Sequence, residues 1–282
     1  MAEIAATSSN RRKARQTIRF AILTAVALII VAPIYLTLVS ALLPAKYTFA
    51  YPPPLIPKEP TLAAFRLAIE RGSMLRYFVN SVVVATAITT GQIVTSSLGA
   101  YAFTFLRFPL RRTLFWLVVG SAVVPAEAIV FGNYRTIVRA GWLDSYPALV
   151  VPFLISGLGV LLLSRTFRTV PRELLSAGQL DGCGHLRLLV HVVAPVARPT
   201  IAALGALSFL GSWNQYLWPL LVTNRRDRRT LPIGLKSISD GELGAFNALS
   251  AAAVLTLIPI LIALAIFNKQ LIRGLTAGLA GQ

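Results

Sequence analysis

Apolar and polar positions form long alternating blocks along this chain. Six apolar runs approach or exceed the length of about 20 residues that a helix needs to cross a bilayer. They lie at residues 18–43, 77–106, 114–131, 149–163, 201–222 and 245–267. We therefore predict an all-α, polytopic membrane protein with six transmembrane helices.

The polar segments predict the remaining organisation. Residues 1–17 carry a cluster of cations and are expected to form a cytoplasmic tail, as are residues 268–282. Residues 44–76 hold five prolines between positions 52 and 60. These prolines exclude a continuous helix there, so the segment is predicted to be an extracytoplasmic loop with a short surface helix. Residues 77–267 would then form the membrane core, including a polar loop at residues 171–199.

The first apolar run has an alternative interpretation as a secretory signal peptide, because a basic start precedes it. It is longer than the apolar region of a typical signal peptide, and no A-x-A cleavage site closes it. We therefore expect a retained helix.

Composition supports the membrane assignment. Of 282 residues, 56% are hydrophobic and 13% are charged, whereas about a quarter of the residues in a soluble domain are charged. The net charge of +17 would suggest nucleic acid in a soluble protein, but these cations lie between apolar runs, as topogenic cations do. A lipid bilayer, and no nucleic acid, is the expected partner.

The distribution of cations predicts cytoplasmic termini. Segments assigned to the cytoplasm are slightly richer in Lys and Arg than the outer ones, and the first helix, which usually decides orientation, follows the basic tail. Four arginines at residues 225–229, in a predicted outer loop, argue against this orientation. We interpret them as part of a solvated loop that follows a topology already set.

Residue types limit the chemistry. Cys183 is the only cysteine, and the six-residue spacing of His185 and His191 suits a shared metal poorly. The phosphate-loop pattern GxxxxGK[ST] and the HExxH motif are both absent from the sequence. We predict no metal, no cofactor bound by this chain and no catalytic residue.

The polar loop at residues 171–199 separates two apolar runs. Its pattern predicts a short helix, a tight turn at Asp181 and Gly182, and a second amphipathic helix ending near Pro195. Gly182 permits the turn, Asp181 is expected to accept a hydrogen bond from the start of the next helix, and Ala177 and Gly178 would allow close approach of a partner. A docking element is the favoured interpretation, and an interfacial amphipathic hairpin is the alternative.

Polar and aromatic residues interrupt the fifth run. At membrane depth an unsatisfied polar group costs several kcal/mol, so these side chains must face protein or water. They suit a cavity that recognises polyols, and Pro219 is expected to kink the helix. Core packing or an interfacial aromatic belt is the alternative. The candidates are Trp213, Asn214, Gln215, Tyr216 and Trp218.

Two further runs contribute candidates. Asn80 could line the same cavity, and the many hydroxyls along the second run predict packing against helices or a wet cavity. Glu127 is an acidic residue within the third run and is therefore a functional candidate. A structural ion pair with an arginine such as Arg135, or with an arginine on the partner subunit, is favoured over direct contact with substrate.

Residues 171–199 resemble the EAA loop of the membrane-spanning subunits of ABC importers. FVNSVVVATA, SFLGSWNQYLWPLLV and AAAVLTLIPILIALAIFNKQLIRGLTAG resemble the carbohydrate-type branch of that family. RFPLRRTLFW, WLDSYPALVVP and WNQYLWPLL are most similar to subunits that import sn-glycerol-3-phosphate and glycerophosphodiesters. The resemblance extends from about Met74 to Gly278.

The resemblance implies a type I ABC importer permease fold in a bacterial inner membrane, forming half of a pathway. The implied partners are a second homologous permease, an ATPase homodimer that binds ATP and Mg²⁺, and an extracytoplasmic substrate-binding protein. The implied coupling residues are Ser176, Ala177, Gly178, Asp181 and Gly182.

Two points qualify the resemblance. Ser176 stands where the family has the motif glutamate, and Glu173 belongs to the preceding segment. The alternative substrate is a sugar of the maltose or trehalose type. A self-contained secondary transporter would show inverted repeats, and none is visible in the sequence.

Overall fold

The computed structural model describes the backbone of residues 2–48, 50–52, 54–70, 72–239 and 246–277, and side chains between residues 15 and 266 within those ranges, except that of Ala126. In these ranges all regular secondary structure is helical.

Three helices are long and apolar enough to cross a membrane: α1 (Ala2–Leu42), α3 (Met74–Phe105) and α14 (Phe246–Ala277). They correspond to the first, second and sixth predicted runs. α1 begins within the predicted tail at residues 1–17, and α14 continues beyond residue 267. The apolar runs therefore locate these helices, but their ends extend into the polar segments.

The other three predicted spans are not continuous helices, which corrects the sequence-based prediction. The third divides into α4 (Arg111–Gly120) and α5 (Ala126–Arg139), and the fourth into α6 (Tyr146–Val150) and α7 (Gly157–Phe167), which meet at 46°. The fifth divides into α11 (Arg198–Trp213) and α12 (Leu217–Val222). Counting each bent pair as one crossing gives up to six spans by length and composition, and the pair that contains α11 in this count is residues 185–196 with residues 198–213. α13 (Leu231–Ser239) follows α12 along the chain.

Proline explains all three breaks. Pro125 forces Val124 into an extended conformation with ψ of 121°, which ends the helical path after α4. Pro152 lies in a 3₁₀ turn that follows α6. Pro219 acts one turn upstream, because its ring would clash with the carbonyl of Gln215 in a continuous helix. The fifth span therefore breaks at residues 214–216, and not at the proline itself.

Contacts divide the chain into two compact units, residues 1–72 with 238–255 and residues 73–237 with 256–282. In the first, the amide nitrogen of Asn247 donates to the carbonyl oxygen of Leu43 at 2.8 Å, and the hydroxyls of Ser40 and Ser250 lie 3.0 Å apart. The proline-rich segment ends in α2 (Ala63–Glu70), the short helix predicted there.

In the second unit, α3 packs against α7 and α11. Small residues permit this approach: a Cβ on Gly159 would lie 2.4 Å from the hydroxyl oxygen of Ser96. α3 is therefore the central helix of this unit and forms one side of each cavity described below.

Candidate functional site

The breaks in the third, fourth and fifth spans meet around one cavity of about 360 Å³ in the second unit. Irregular backbone at membrane depth is tolerated where it is buried in protein or lines a water-filled space. Because all three breaks lie in the wall of this cavity, we infer that the breaks form it. Its lining includes Gln92, Val124, Glu127, Asn133, Phe153, Gln215, Tyr216 and Trp218.

α3 supplies hydrogen bonds to the interrupted fourth span. The amide nitrogen of Gln92 donates to the carbonyl oxygen of Phe153 at 2.8 Å, and the hydroxyl of Thr95 donates to that of Leu154 at 2.6 Å. Carbonyls freed by the break are thereby satisfied, as a non-aqueous setting requires. The prediction that polar groups along the second run pack against helices or face a cavity is confirmed.

A second cavity of about 230 Å³ adjoins the first, and Gln92, Phe153 and Gln215 line both. The side-chain oxygen of Gln215 and the hydroxyl of Ser208, which lines the second cavity, are buried without a hydrogen-bond partner in the part of the chain that the structure describes. Buried polar atoms nearly always have partners. Water or a passing polar solute can therefore bind at the partition between the cavities.

Glu127 is the only charged side chain among the residues lining the larger cavity. It lies in the first turn of α5 and is exposed. Within the part of the chain whose side chains are described it makes no ion pair. The expected pairing with Arg135 is not formed, because Arg135 lies about 12 Å further along the same helix. Glu127 therefore reaches the cavity without a cationic partner among the described residues of this chain.

The predicted residues of the fifth run separate into two groups. Gln215, Tyr216 and Trp218 line the cavity. The indole nitrogen of Trp218 donates to the carbonyl oxygen of Ala148 at 2.9 Å, so its ring, and not its donor, is offered to a ligand. The other two residues lie outside the lining.

Trp213 and Asn214 have structural positions. Trp213 is 1% exposed and its ring lies 5.7 Å from that of Phe209 and 5.8 Å from that of Phe78. The amide of Asn214 donates to the carbonyl oxygen of Leu210 at 2.9 Å and closes α11. The sequence alternative of core packing therefore applies to Trp213, whereas Asn214 is exposed.

Asn80 also lies away from the cavity, contrary to expectation. Its amide nitrogen donates to the carbonyl oxygens of Asp227 and Arg229 at 3.0 and 2.9 Å, and its oxygen accepts from the hydroxyl of Tyr146 at 2.8 Å. Hydrogen bonds from Arg225 hold the pKa of the Asp227 carboxyl below its usual value. Asn80 therefore fixes the arginine-rich loop at residues 225–229.

The candidates chosen from sequence for this cavity omitted several lining residues, among them Gln92, Asn133 and Phe153. Gln92 was visible as an amide within an apolar run, which is a sufficient signal for a functional candidate. Asn133 was assigned to an outer segment because the third run was judged to end at Phe131, whereas α5 continues to Arg139. Phe153 carries no signal of its own, because only the break at Pro152 brings it to the cavity.

Residues 171–199 form the predicted hairpin. α8 (Arg172–Leu180) is followed by a turn, α9 (His185–Leu188), a π-helical turn and α10 (Ala194–Val196). Gly182 has a φ of +76°, which a residue without Cβ adopts freely. The limb at residues 185–196 meets α11 at 87° and so lies across the end of the fifth span.

Two expected roles within the hairpin are corrected. Gly178 is buried, and a Cβ there would lie 2.6 Å from a methyl carbon of Leu188, so this glycine allows the two limbs to pack together. Asp181 ends α8, and Gly184 begins α9 without a side-chain cap. Of the predicted coupling residues, Ser176, Ala177, Asp181 and Gly182 are exposed and remain available to a partner.

A helical core with broken spans, a polar cavity and a surface hairpin defines a membrane transport subunit. A family model described as the inner membrane component of binding-protein-dependent transport systems matches residues 92–277, and the chain belongs to this family. It is a multi-pass permease subunit of an ABC importer. Both the all-α fold and the stated resemblance are confirmed.

Proteins similar to this chain include UgpE, the sn-glycerol-3-phosphate transport system permease protein, of several bacteria. The chain is 33% identical over 257 residues to the protein of Brucella abortus, 35% to that of Yersinia enterocolitica and 34% to that of Rhizobium meliloti. In each case the match covers 88% of this chain and 91% of the relative.

A solved structure gives the same fold. The chain matches, with a TM-score of 0.79 and 19% identity, a bacterial ABC transporter involved in the import of the acidic polysaccharide alginate. The match covers 90% of this chain and 95% of that one.

Proposed function

We propose that this chain forms half of the translocation pathway of an ATP-driven importer for sn-glycerol-3-phosphate or glycerophosphodiesters such as glycerophosphocholine. The observation that carries the proposal is the cavity at which three broken spans meet. The names of the relatives support the substrate class. The unpartnered oxygens of Gln215 and Ser208 support passage of a hydrogen-bonding solute.

The charge of the cavity favours glycerophosphocholine within this class. The carboxylate of Glu127 and the rings of Phe153, Tyr216 and Trp218 line one space, and no cation lines it. Carboxylates and aromatic faces attract quaternary ammonium groups, whereas a carboxylate repels a phosphate monoester. The phosphate of the substrate would then be recognised by the second permease subunit or by the binding protein.

A neutral sugar of the maltose or trehalose type is the second candidate. The amides of Gln92, Asn133 and Gln215 are suited to hydroxyl groups and require no charge on the substrate. In this case Glu127 would act as a hydrogen-bond acceptor.

Substitution of Glu127→Gln distinguishes the substrates. In proteoliposomes containing the complete importer, we expect uptake of labelled glycerophosphocholine to fall about tenfold, because about 1.4 kcal/mol of attraction to the ammonium group is lost. Uptake of glycerol-3-phosphate should not fall. Arg135→Gln, on the same helix outside the cavity lining, is the matched control. Equal loss of uptake for glycerophosphocholine and glycerol-3-phosphate would remove the basis for this preference.

We further propose that the exposed hairpin residues contact an ATPase homodimer, which binds the ATP and Mg²⁺, while this chain binds neither. Ser176 has no charge, so its contact would depend on packing and hydrogen bonding. The importer would also contain a second homologous permease and an extracytoplasmic binding protein. Both termini of this chain would be cytoplasmic.

Gly182→Pro tests the hairpin. Proline fixes φ near −65°, which is incompatible with the +76° of this turn. We expect binding-protein-stimulated ATPase activity to be lost while membrane insertion is retained. Gly182→Asn is the control, because asparagine tolerates the left-handed region. Normal stimulation in the proline variant would contradict the docking role.

A further inference from the structure

A separate pocket of about 410 Å³ lies between α3, α4 and α7, at the end of the second unit that carries the hairpin. It shares no lining residue with the two cavities described above. Its lining includes four arginines, Arg111, Arg112, Arg165 and Arg168.

Among the described residues no carboxylate compensates the charge of this pocket. Arg111 donates from Nη1 to the carbonyl oxygen of Leu106 at 2.9 Å, and the other three arginines are exposed. No carboxylate lines it, and no ion pair to any of the four arginines occurs among the side chains described between residues 15 and 266. Guanidinium groups held in one pocket repel one another unless an anion joins them. Arginine binds phosphate groups through paired N–H donors, so the arrangement fits such an anion.

A second feature indicates a ligand independently. Ser164 is 1% exposed, lines the pocket, and its hydroxyl oxygen has no hydrogen-bond partner among the described residues. Buried hydroxyl groups nearly always have such a partner. A phosphate oxygen bound beside the arginines would satisfy the Ser164 hydroxyl.

The rest of the pocket lining is apolar apart from Ser164. Phe103 and Phe115 pack edge to face at 5.6 Å, and Trp116 and Leu161 complete the lining. Trp116 is 59% exposed and the next residue, Leu117, is 64% exposed, so an apolar surface continues outward from the pocket along α4. A free phosphate ion would not use this surface, whereas the acyl chains of a lipid would.

We propose that this pocket binds the headgroup of an anionic phospholipid, with the phosphate against the arginines and the acyl chains along the surface at Trp116 and Leu117. Basic pockets at the end of transmembrane helices are suited to such headgroups. Arg111 and Arg168 also line an adjoining space of about 720 Å³ beneath the hairpin, together with Arg172, Ser176 and His185. A bound lipid therefore fixes two side chains that form a wall under the hairpin.

The test measures lipid binding to the complete importer in detergent by native mass spectrometry. The probes are dioctanoyl phosphatidylglycerol, dioctanoyl phosphatidylcholine and inorganic phosphate. The variant Arg112→Gln with Arg165→Gln spares the two arginines beneath the hairpin, and Arg135→Gln with Arg139→Gln changes two exposed arginines of α5. Intact subunit composition and an unchanged thermal midpoint establish that each variant is folded.

We expect the first pair of substitutions to weaken phosphatidylglycerol binding about thirtyfold, Ser164→Ala to weaken it a few-fold, and the second pair to leave it unchanged. Equal binding of phosphatidylcholine, or equal loss in both double variants, would overturn the proposal. Displacement of the lipid by inorganic phosphate at equal concentration would show a free-phosphate site and would also overturn it.

Discussion

At the scale of single residues, the position of a side chain within the turn of a helix determines its role more than its residue type does. Trp213, Gln215 and Trp218 lie close together in sequence, and the pattern predicted all three as pathway residues. Trp213 is buried among aromatic rings, whereas the other two reach the cavity because the helix breaks between them. The sequence shows the polar content of the segment, but the break that sorts its side chains depends on packing against α3 and the fourth span.

Gly178 allows a direct test at this scale. We expect Gly178→Ala to destabilise the hairpin by about 1–3 kcal/mol, because the added methyl group overpacks against the buried Leu188. Gly184→Ala is the matched control: its Cβ would meet nothing within 4 Å, and an effect below about 0.5 kcal/mol is expected. The measurement is the thermal midpoint of the purified importer. Similar shifts for both variants would mean that the limbs do not pack as described.

At the scale of helices, sequence reasoning locates continuous spans well and broken ones poorly. The runs that became α1, α3 and α14 are long and apolar on average, so length and mean hydropathy identify them, even though α3 carries many hydroxyls. The third and fourth runs contain Pro125 and Pro152, which mark the breaks, but composition cannot show that the resulting loops converge. The hairpin was predictable because its turn needs the glycine at position 182.

Thr95→Val tests the support that α3 gives to the fourth span. The substitution keeps the shape of the side chain and leaves the carbonyl oxygen of Leu154 without its partner, at a cost of about 1–3 kcal/mol. Thr90→Val, at an exposed position on the same helix, should have little effect. We expect a lower thermal midpoint and slower transport only in the first variant. Equal behaviour of the two variants would mean that water satisfies the carbonyl oxygen of Leu154 once the threonine hydroxyl is removed. That result would contradict the predicted cost.

At the scale of the whole molecule, orientation in the membrane is the property that sequence determines least firmly, because the arginines at residues 225–229 oppose the rule that favours cytoplasmic termini. The contacts of Asp144 and Asn80 explain how these arginines are accommodated. The carboxylate of Asp144 accepts from the backbone nitrogens of Asn224 and Arg225 at 2.6 and 2.7 Å. Fixed contacts of this kind order the loop whichever way the chain inserts.

Cys183 provides a natural probe of orientation, because it is the only cysteine and lies next to the hairpin turn. We expect a membrane-impermeant maleimide to label it in inside-out vesicles and not in intact spheroplasts. The control combines Cys183→Ser with Asn224→Cys, which should reverse the pattern. Labelling of Cys183 from outside would place the hairpin, and any ATPase contact, on the wrong side of the membrane.

The hydrogen bonds of Asn80 have a mechanical consequence. One side chain on the second span holds Tyr146 at the start of the fourth and the loop that follows the fifth. These hydrogen bonds hold the three spans together at this end, so we expect the spans to move together there. A movement of the hairpin would then have to be accommodated between this end of the spans and the hairpin. We expect the spans to bend there at the interruptions at residues 151–156 and 214–216.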